Sequence, residues 1–589
     1  MEKSIDVDGE GDDGDESLSL SDALKLLAQS DLDEISSLKD GEYFEDEFFE
    51  LFKTNPDLVD QSVANNNNND DDVDVVWLRP FKIEPRCQFG LDAHLSPDEV
   101  VQGNLNDCAF CAATSSLAKY PDLLRRILPD ERDTFLYGPK YKGYYRFRFW
   151  IYGEWIDVYI DDRLPTKNRR LLYCHCTTSH VFWAPLLEKA YAKLKGSYLN
   201  LVGINNVTVL TELTGGIFLT LNTQDFSSFP NRYRVENELI GQVNHGYFVA
   251  CASIKKEFTA NGSIGHAYSL LSINQLRIDG TDTRVYTLRN PHGKATEEDR
   301  YHPKFSFWND VNEPTKRQMF YDKSRDVISW FSNTTFNYYF DELALLYSIP
   351  SGEQPSCFLF DFHDKWDREF ARHETRYLVF NQHYLLEVKE KKSDILLNLI
   401  QEELSDHEKC SLSFYLFPVR RLPSNRQLAD GLKRIGSVRY ELENGKTYHL
   451  SRQISALFDL LPGFYVLLPV VREASMKTKT LSYLFRCASN NAIHVERLNL
   501  DADSFKLYTD DKFINLVTTK CNACNALIGS GVFKVYNEMS YHNECYDKLV
   551  DCLYDCCREP LKTFCLADVG LKYCKKCHDK HWNDEYLSV

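Results

Sequence analysis

Three residues far apart in the chain have the types from which a cysteine nucleophile is built. Cys108 closes QGNLNDC (102–108), where a glycine-bearing turn runs into Asp107 and then the alanine-rich stretch CAFCAATSSLAK, which ends before Pro121. That pattern predicts Cys108 in the first turn of a buried helix, where free backbone N–H groups and the positive dipole end favour the thiolate. His266 opens the apolar run GHAYSL. Asn290 ends the next one in RNPHG, after a turn at Asp279-Gly280. Antiparallel strands joined by that turn would set His266 beside Asn290. A thiol nucleophile needs a base within hydrogen-bond reach, and the base needs an orienting partner. Taken singly, each residue reads as a buried thiol, a core histidine or a turn asparagine. Together they point to attack on a carbonyl carbon, with the imidazole moving the proton.

The elements that must position these residues can be read around them. Residues 144–160, YYRFRFWIYGEWIDVYI, alternate as a hairpin with Gly153 at the turn, and WAPLLEKAYAKLK (183–195) is an amphipathic helix ending at Gly196. After about residue 215 the pattern turns to strands. The repeated strand signals of 350–505 (FYLFPV, FYVLLPVV, LSYLFRCA) predict a β-sandwich. The net charge of −19 resides almost wholly in residues 1–75, where 24 acids face 4 lysines, so the remaining chain is nearly neutral and has no basic nucleic-acid footprint. Residues 1–75 are expected to form an acidic disordered tail and linker, and the weak helical pattern within 18–53 reads as a marginal solvated helix in preference to a partner-binding one. No secretory signal or membrane span is read, and eighteen cysteines without one point to reduced thiols in the cytoplasm.

QGNLNDC, GHAYSL and RNPHG resemble the cysteine, histidine and asparagine motifs of the calpain family. WLRP at 77–80, FRFWIYGEWIDVYIDDRLPT and FWAPLLEKAYAKLKGSY resemble calpain segments in the same order. The resemblance covers about 76–345 and continues more weakly through the sandwich. It implies an α+β fold with a two-lobed papain-like protease core and then a β-sandwich, to which the cysteine-rich C-terminus adds a small zinc-finger domain. The expected divisions are 1–75 (tail), 76–215 (lobe with Cys108), 216–348 (lobe with His266 and Asn290), 350–510 (sandwich) and 515–589 (zinc domain). By the same resemblance Cys108 is the nucleophile, His266 the base, Asn290 its orienter and Gln102 an oxyanion-hole donor beside the Cys108 backbone N–H.

The departures matter. Asn106 stands where the family usually has Gly, Ala109 where it has Trp, and His292 where most members have a Trp that shields the His–Asn hydrogen bond. A better-solvated pair and lower activity are expected from His292. Calcium-activated calpains close their lobes around calcium, whose hard ligands are carboxylates. Here Glu99 persists, but Val181 replaces a glutamate, and SNTTFNYYF (332–340) has no acid where the family has an acidic run. Glu297 and Glu298 remain as partial ligands, and no EF-hand loop is present. Weak dependence on calcium is the expectation.

Nine of the eighteen cysteines lie between 521 and 577. Cys521-x2-Cys524 with His542-x2-Cys545 has the spacing of a tetrahedral zinc site, and a second set ends in Cys574-x2-Cys577. Cys552, Cys556 and Cys557 compete for its other places, with Cys552 and Cys557 the chosen pair. Cys565, His578 and His581 are spare candidates. The pattern resembles a LIM-type double zinc finger, except that Lys548 occupies the place of a cysteine. Such modules bind proteins. The sequence thus predicts a cytoplasmic calpain-like cysteine endopeptidase acting on proteins, with structural zinc, a protein partner at the zinc domain and a sandwich able to dock on membranes. The rival reading is a catalytically weak or inactive scaffold acting through its zinc domain.

Overall fold

The computed structural model describes residues 20–49, most of 75–498 and four short strands between 533 and 574. The first lobe is built around the helix Cys108–Leu117, all of whose residues are buried. Its sequence, CAFCAATSSL, is small and apolar enough to be enclosed on every side. Helices Pro121–Ile127, Trp183–Leu194 and Asn206–Thr214 share its core with the hairpin Tyr144–Ile151/Glu154–Asp161. The hairpin turn has positive φ at both central residues, Tyr152 (50°) and Gly153 (102°), the turn whose twist matches a two-residue hairpin.

The second lobe is a six-stranded antiparallel sheet, in the order 328–332, 281–289, 267–278, 250–254, 340–348 and 217–222. Behind it lie two further sheets. One is four-stranded (358–367, 480–489, 393–401, 453–460). The other runs 438–439, 411–419, 463–471, 383–388 and 493–498, with 449–450 also on 411–419. Trp366, Ile395 and Phe485 of the first meet Tyr384, Leu412 and Leu467 of the second in one core, so the two form a sandwich. The opposite face of the four-stranded sheet, through Leu396, Leu457 and Ala488, joins the second lobe's core. The sandwich also reaches the first lobe: Arg486 lies over the Trp150 ring at 4.3 Å, and His363 packs against Tyr152.

The reading of residues 1–75 as tail and linker is corrected for 20–49. Leu20–Ser37 is an 18-residue helix against the strand Glu154–Asp161, and the chain after it is tied down to Phe49. Ile35, Phe44 and Phe49 are buried. The acids that argued for disorder find buried cations: Lys193 Nζ donates to Asp31 (2.9 Å), Asp46 (2.8 Å) and the Tyr159 carbonyl (2.9 Å). Lys189 donates to Asp161 (2.6 Å), and the Arg79 guanidinium pairs with Asp162 and donates to the Phe44 carbonyl (3.0 Å). Composition alone undervalued this segment because the lysine that pairs with Asp31 and Asp46 lies more than a hundred residues away.

Candidate active site

Cys108 is the first residue of its helix and is 7% exposed. The histidine strand crosses this end of the helix. The Ala267 backbone N–H, next to His266, donates to the Cys108 sulfur, and Ser269 Oγ donates to the Ala112 carbonyl at 2.8 Å. His266 immediately precedes the strand Ala267–Ile278 and Asn290 immediately follows its partner Thr281–Arg289, with Ser269 opposite Arg289. That register brings the two side chains together: His266 Nε2 lies 3.0 Å from Asn290 Oδ1. The same oxygen accepts the His292 backbone N–H at 3.1 Å, so the amide presents its acceptor to the ring. Nε2 therefore carries the proton, and the neutral ring has its lone pair on Nδ1.

The thiol departs from the sequence expectation. Burial pushes Cys108 above the ordinary thiol value, and the Asp107 carboxyl adds to this. The Ala267, Ala109 and Cys108 N–H groups pull the other way without prevailing. Helix-end stabilisation falls short here because the sulfur is nearly closed off from water. Asp107 is itself fully buried and hydrogen-bonded to Glu188, which also accepts the Cys174 N–H at 3.0 Å. Burial raises both carboxyls, Glu188 the more. Glu188 was not foreseen as part of the site. Its signal was a carboxylate on a helix whose remaining residues are almost all core.

Burial also lowers His266 to about 4, against the pull of Asn290. The sign for stability follows. The unfolded chain takes up this proton below about 6.5 and the folded chain only near 4, so stability is complete above 6.5 and declines as pH falls toward 4. Denaturant titrations at pH 7.5 and 5 should show this loss in the wild type and a smaller one in His266→Gln.

Gln102 is placed differently from its expected role. Its side-chain N–H donates to the Leu105 carbonyl at 2.7 Å, and its buried Oε1 has no partner among the described residues. Its backbone N–H donates to the Pro291 carbonyl at 2.9 Å, which ties the cysteine loop to the asparagine loop. Arg289 adds to that tie. Its buried guanidinium crosses from the second lobe to the Val100 carbonyl of the first. Gly103, between Gln102 and the helix, is required by close approach: a Cβ there would lie 2.7 Å from the Leu172 carbonyl oxygen and closer still to the Tyr173 carbonyl. Gly103→Ala should lower stability by roughly 1–3 kcal/mol and shift the Gln102 loop, read as a fall in both Tm and proteolytic rate.

His292 stacks on His266 with ring centroids 4.6 Å apart and planes 16° from parallel. The expected solvation of the His–Asn pair is therefore not what the geometry shows, because the His292 imidazole lies flat over the His266 ring. At the positions compared above with the family's calcium sites, the described side chains make other contacts. Both Glu99 oxygens are engaged by Thr178, Val181 is buried, and Ser332 caps a helix, Asn333–Tyr339, without acids. Glu297 and Glu298 lie outside the described residues. So do Cys521, Cys524, Cys545, Cys552, Cys556, Cys557 and Cys577. His542 and Cys574 fall at the ends of the short strands Met539–His542 and Lys572–Cys574.

A family model described as calpain family cysteine protease matches residues 44–347, more than half of the chain. Calpain-8 of Rattus norvegicus is 29% identical over 439 residues, which are 68% of this chain and 60% of that protein. Calpain clp-4 of Caenorhabditis elegans is 35% identical over 271 residues, 44% of this chain and 36% of that one. Calpain-9 of Homo sapiens is 29% identical over 430 residues, with coverage of 68% and 60%. The chain thus spans at most 60% of the length of these relatives. The match begins at residue 44, within the segment that docks on the first lobe, and ends at 347, where the second lobe's sheet closes. A helix that starts at its cysteine, a histidine and an asparagine joined across two paired strands, and this span of family likeness agree: the chain belongs to the calpain family of cysteine proteases.

Proposed function

We propose that the chain is a cysteine-type endopeptidase performing limited cleavage of proteins. The observation that carries this reading is the His266–Asn290 hydrogen bond at 3.0 Å, set against a helix that begins at Cys108. Asn290 holds Nε2, which leaves Nδ1 as the base. The Cys108 proton passes to the imidazole, and the thiolate attacks the peptide carbonyl carbon. The oxyanion is held by the Cys108 backbone N–H and by the Gln102 amide once it turns from Leu105. The imidazolium then gives its proton to the departing amine. Water, deprotonated by the same ring, hydrolyses the thioester.

In this reading the lobes need little help from calcium to close. Direct bonds already cross between them: Gln102 N to the Pro291 carbonyl, Ser116 Oγ to the Ala250 carbonyl (2.9 Å) and Lys119 Nζ to the Leu271 carbonyl (2.6 Å). The test is casein cleavage by the full chain with excess calcium and with a chelator that spares zinc. Comparable cleavage in both is expected. Cleavage only with calcium would overturn the calcium part of the reading, and silence in both would overturn the enzyme.

Two observations favour a weak or inactive scaffold as the second reading: the raised thiol of Cys108 and the Gln102 donor held by Leu105. In either case the C-terminal thiolate and imidazole donors Cys521, Cys524, His542 and Cys545, then Cys552, Cys557, Cys574 and Cys577, form a LIM-like module with two structural zinc ions that recruits a protein partner. The absence of any helix long and apolar enough to cross a membrane, among the described residues, agrees with a cytoplasmic site of action. The sandwich is a candidate for reversible membrane association.

A further inference from the structure

His266 has Asn290 at one edge and the ring of His292 against one face, centroids 4.6 Å apart. His292 is exposed on its other side, so it exchanges protons with solvent. Two imidazolium rings stacked at that distance repel strongly, whereas one charged and one neutral ring do not. Among the described residues, the other groups around the pair are few. Tyr268 packs edge-on against His266 at 5.0 Å. Arg289 precedes Asn290, but its guanidinium is turned to the Val100 carbonyl. The cysteine helix contributes Asp107 and Cys108 at this end. Val101, beside Gly293, is paired with His175, whose Nδ1 lies 3.2 Å from the Tyr173 carbonyl oxygen.

We infer that His292 is a pH-dependent positioning residue for the catalytic imidazole: a proton on His292 and a proton on His266 exclude one another, so the thiolate–imidazolium pair forms only while His292 is neutral. Burial beside His266 lowers His292 as well. The consequence is an acid limb of activity placed higher than the Cys–His pair alone would set it. This inference rests on the endopeptidase reading for its biological meaning, but not for its test.

The test is the pH profile, from 4 to 9, of alkylation of the Cys108 peptide by iodoacetamide, beside casein cleavage at the same pH values. Wild type, His292→Phe and His292→Gln are compared as full chains. Phe keeps a flat ring over His266 without a proton site; Gln removes ring and charge together. Both variants should move the acid midpoint of alkylation down by about one pH unit, with Phe keeping the plateau rate. A role as a mere cover would change the plateau and leave the midpoint in place. An unchanged midpoint in both variants, or an upward shift, overturns the inference. Alkylation reports the thiolate without any peptide bond being cut. A shifted midpoint in a chain that does not cleave casein would therefore uphold this inference and sink the endopeptidase reading. Casein cleavage with an unshifted midpoint would do the reverse.

Discussion

Cys108→Ala should reduce casein cleavage by roughly 10⁴-fold or more, to the background of the assay, while leaving the thermal unfolding midpoint nearly unchanged. The size follows from the chemistry. In the proposed mechanism the sulfur is the atom that bonds to the substrate carbon, and without it His266 has no proton to take and no thioester can form. The small structural cost follows from position. Cys108 opens its helix, and alanine is a good helix residue already present next to it at Ala109. Cys111, one turn on, is no substitute nucleophile. It is fully buried, its thiol donates toward Asp107 at 3.6 Å, and burial holds it well above the ordinary thiol value. Cleavage that survived in Cys108→Ala and was still blocked by thiol reagents would show the nucleophile to be another cysteine.

The largest effect on stability is expected at Lys193. Its side chain is 1% exposed and bonds Asp31, Asp46 and the Tyr159 carbonyl, which joins the N-terminal helix and the loop after it to the first lobe. Lys193→Met keeps the length of the side chain and removes the charge. Asp46, also 1% exposed, is then left in the interior without that lysine, although its carboxyl still accepts the Phe48 N–H. Breaking one partner out of a buried ion pair costs about 3–5 kcal/mol, a large fraction of the roughly 5–15 kcal/mol that holds a domain folded. The expected outcome is a lower Tm and early proteolytic nicking between residues 20 and 49, seen by mass spectrometry. Asp46→Asn in the Lys193→Met background should recover part of the loss, because the remaining partner is then neutral. Equal stability of wild type and Lys193→Met would show that the helix is held by its apolar contacts alone.

These two residues mark how much of the molecule was legible beforehand. Cys108, His266 and Asn290 were readable because each lies where a local pattern changes: a turn entering a helix, the start of one strand, the end of another. Period and turn chemistry report such boundaries, and an antiparallel pair carries His266 to Asn290 by register alone. The hairpin at 144–161 and the helix at 183–194 were legible for the same reason. Lys193, Asp46 and Glu188 were not. Nothing near Lys193 or Asp46 in the chain states that its counter-ion will arrive from more than a hundred positions away, nor near Glu188 that Asp107 will meet it, and composition then argues for solvent. The order in residues 20–49 was missed on that account.

By itself, then, the sequence determined which groups can do chemistry and the elements that carry them, since local backbone preference and side-chain type are properties of short segments. The tertiary structure alone decided the state of those groups. Enclosure lifted the Cys108 thiol against its helix dipole, lowered His266 to about 4, turned the Gln102 amide toward Leu105 and laid His292 over the His266 ring. Desolvation and ring stacking depend on what surrounds an atom on every side, and those surroundings come from segments that meet only when the chain is folded.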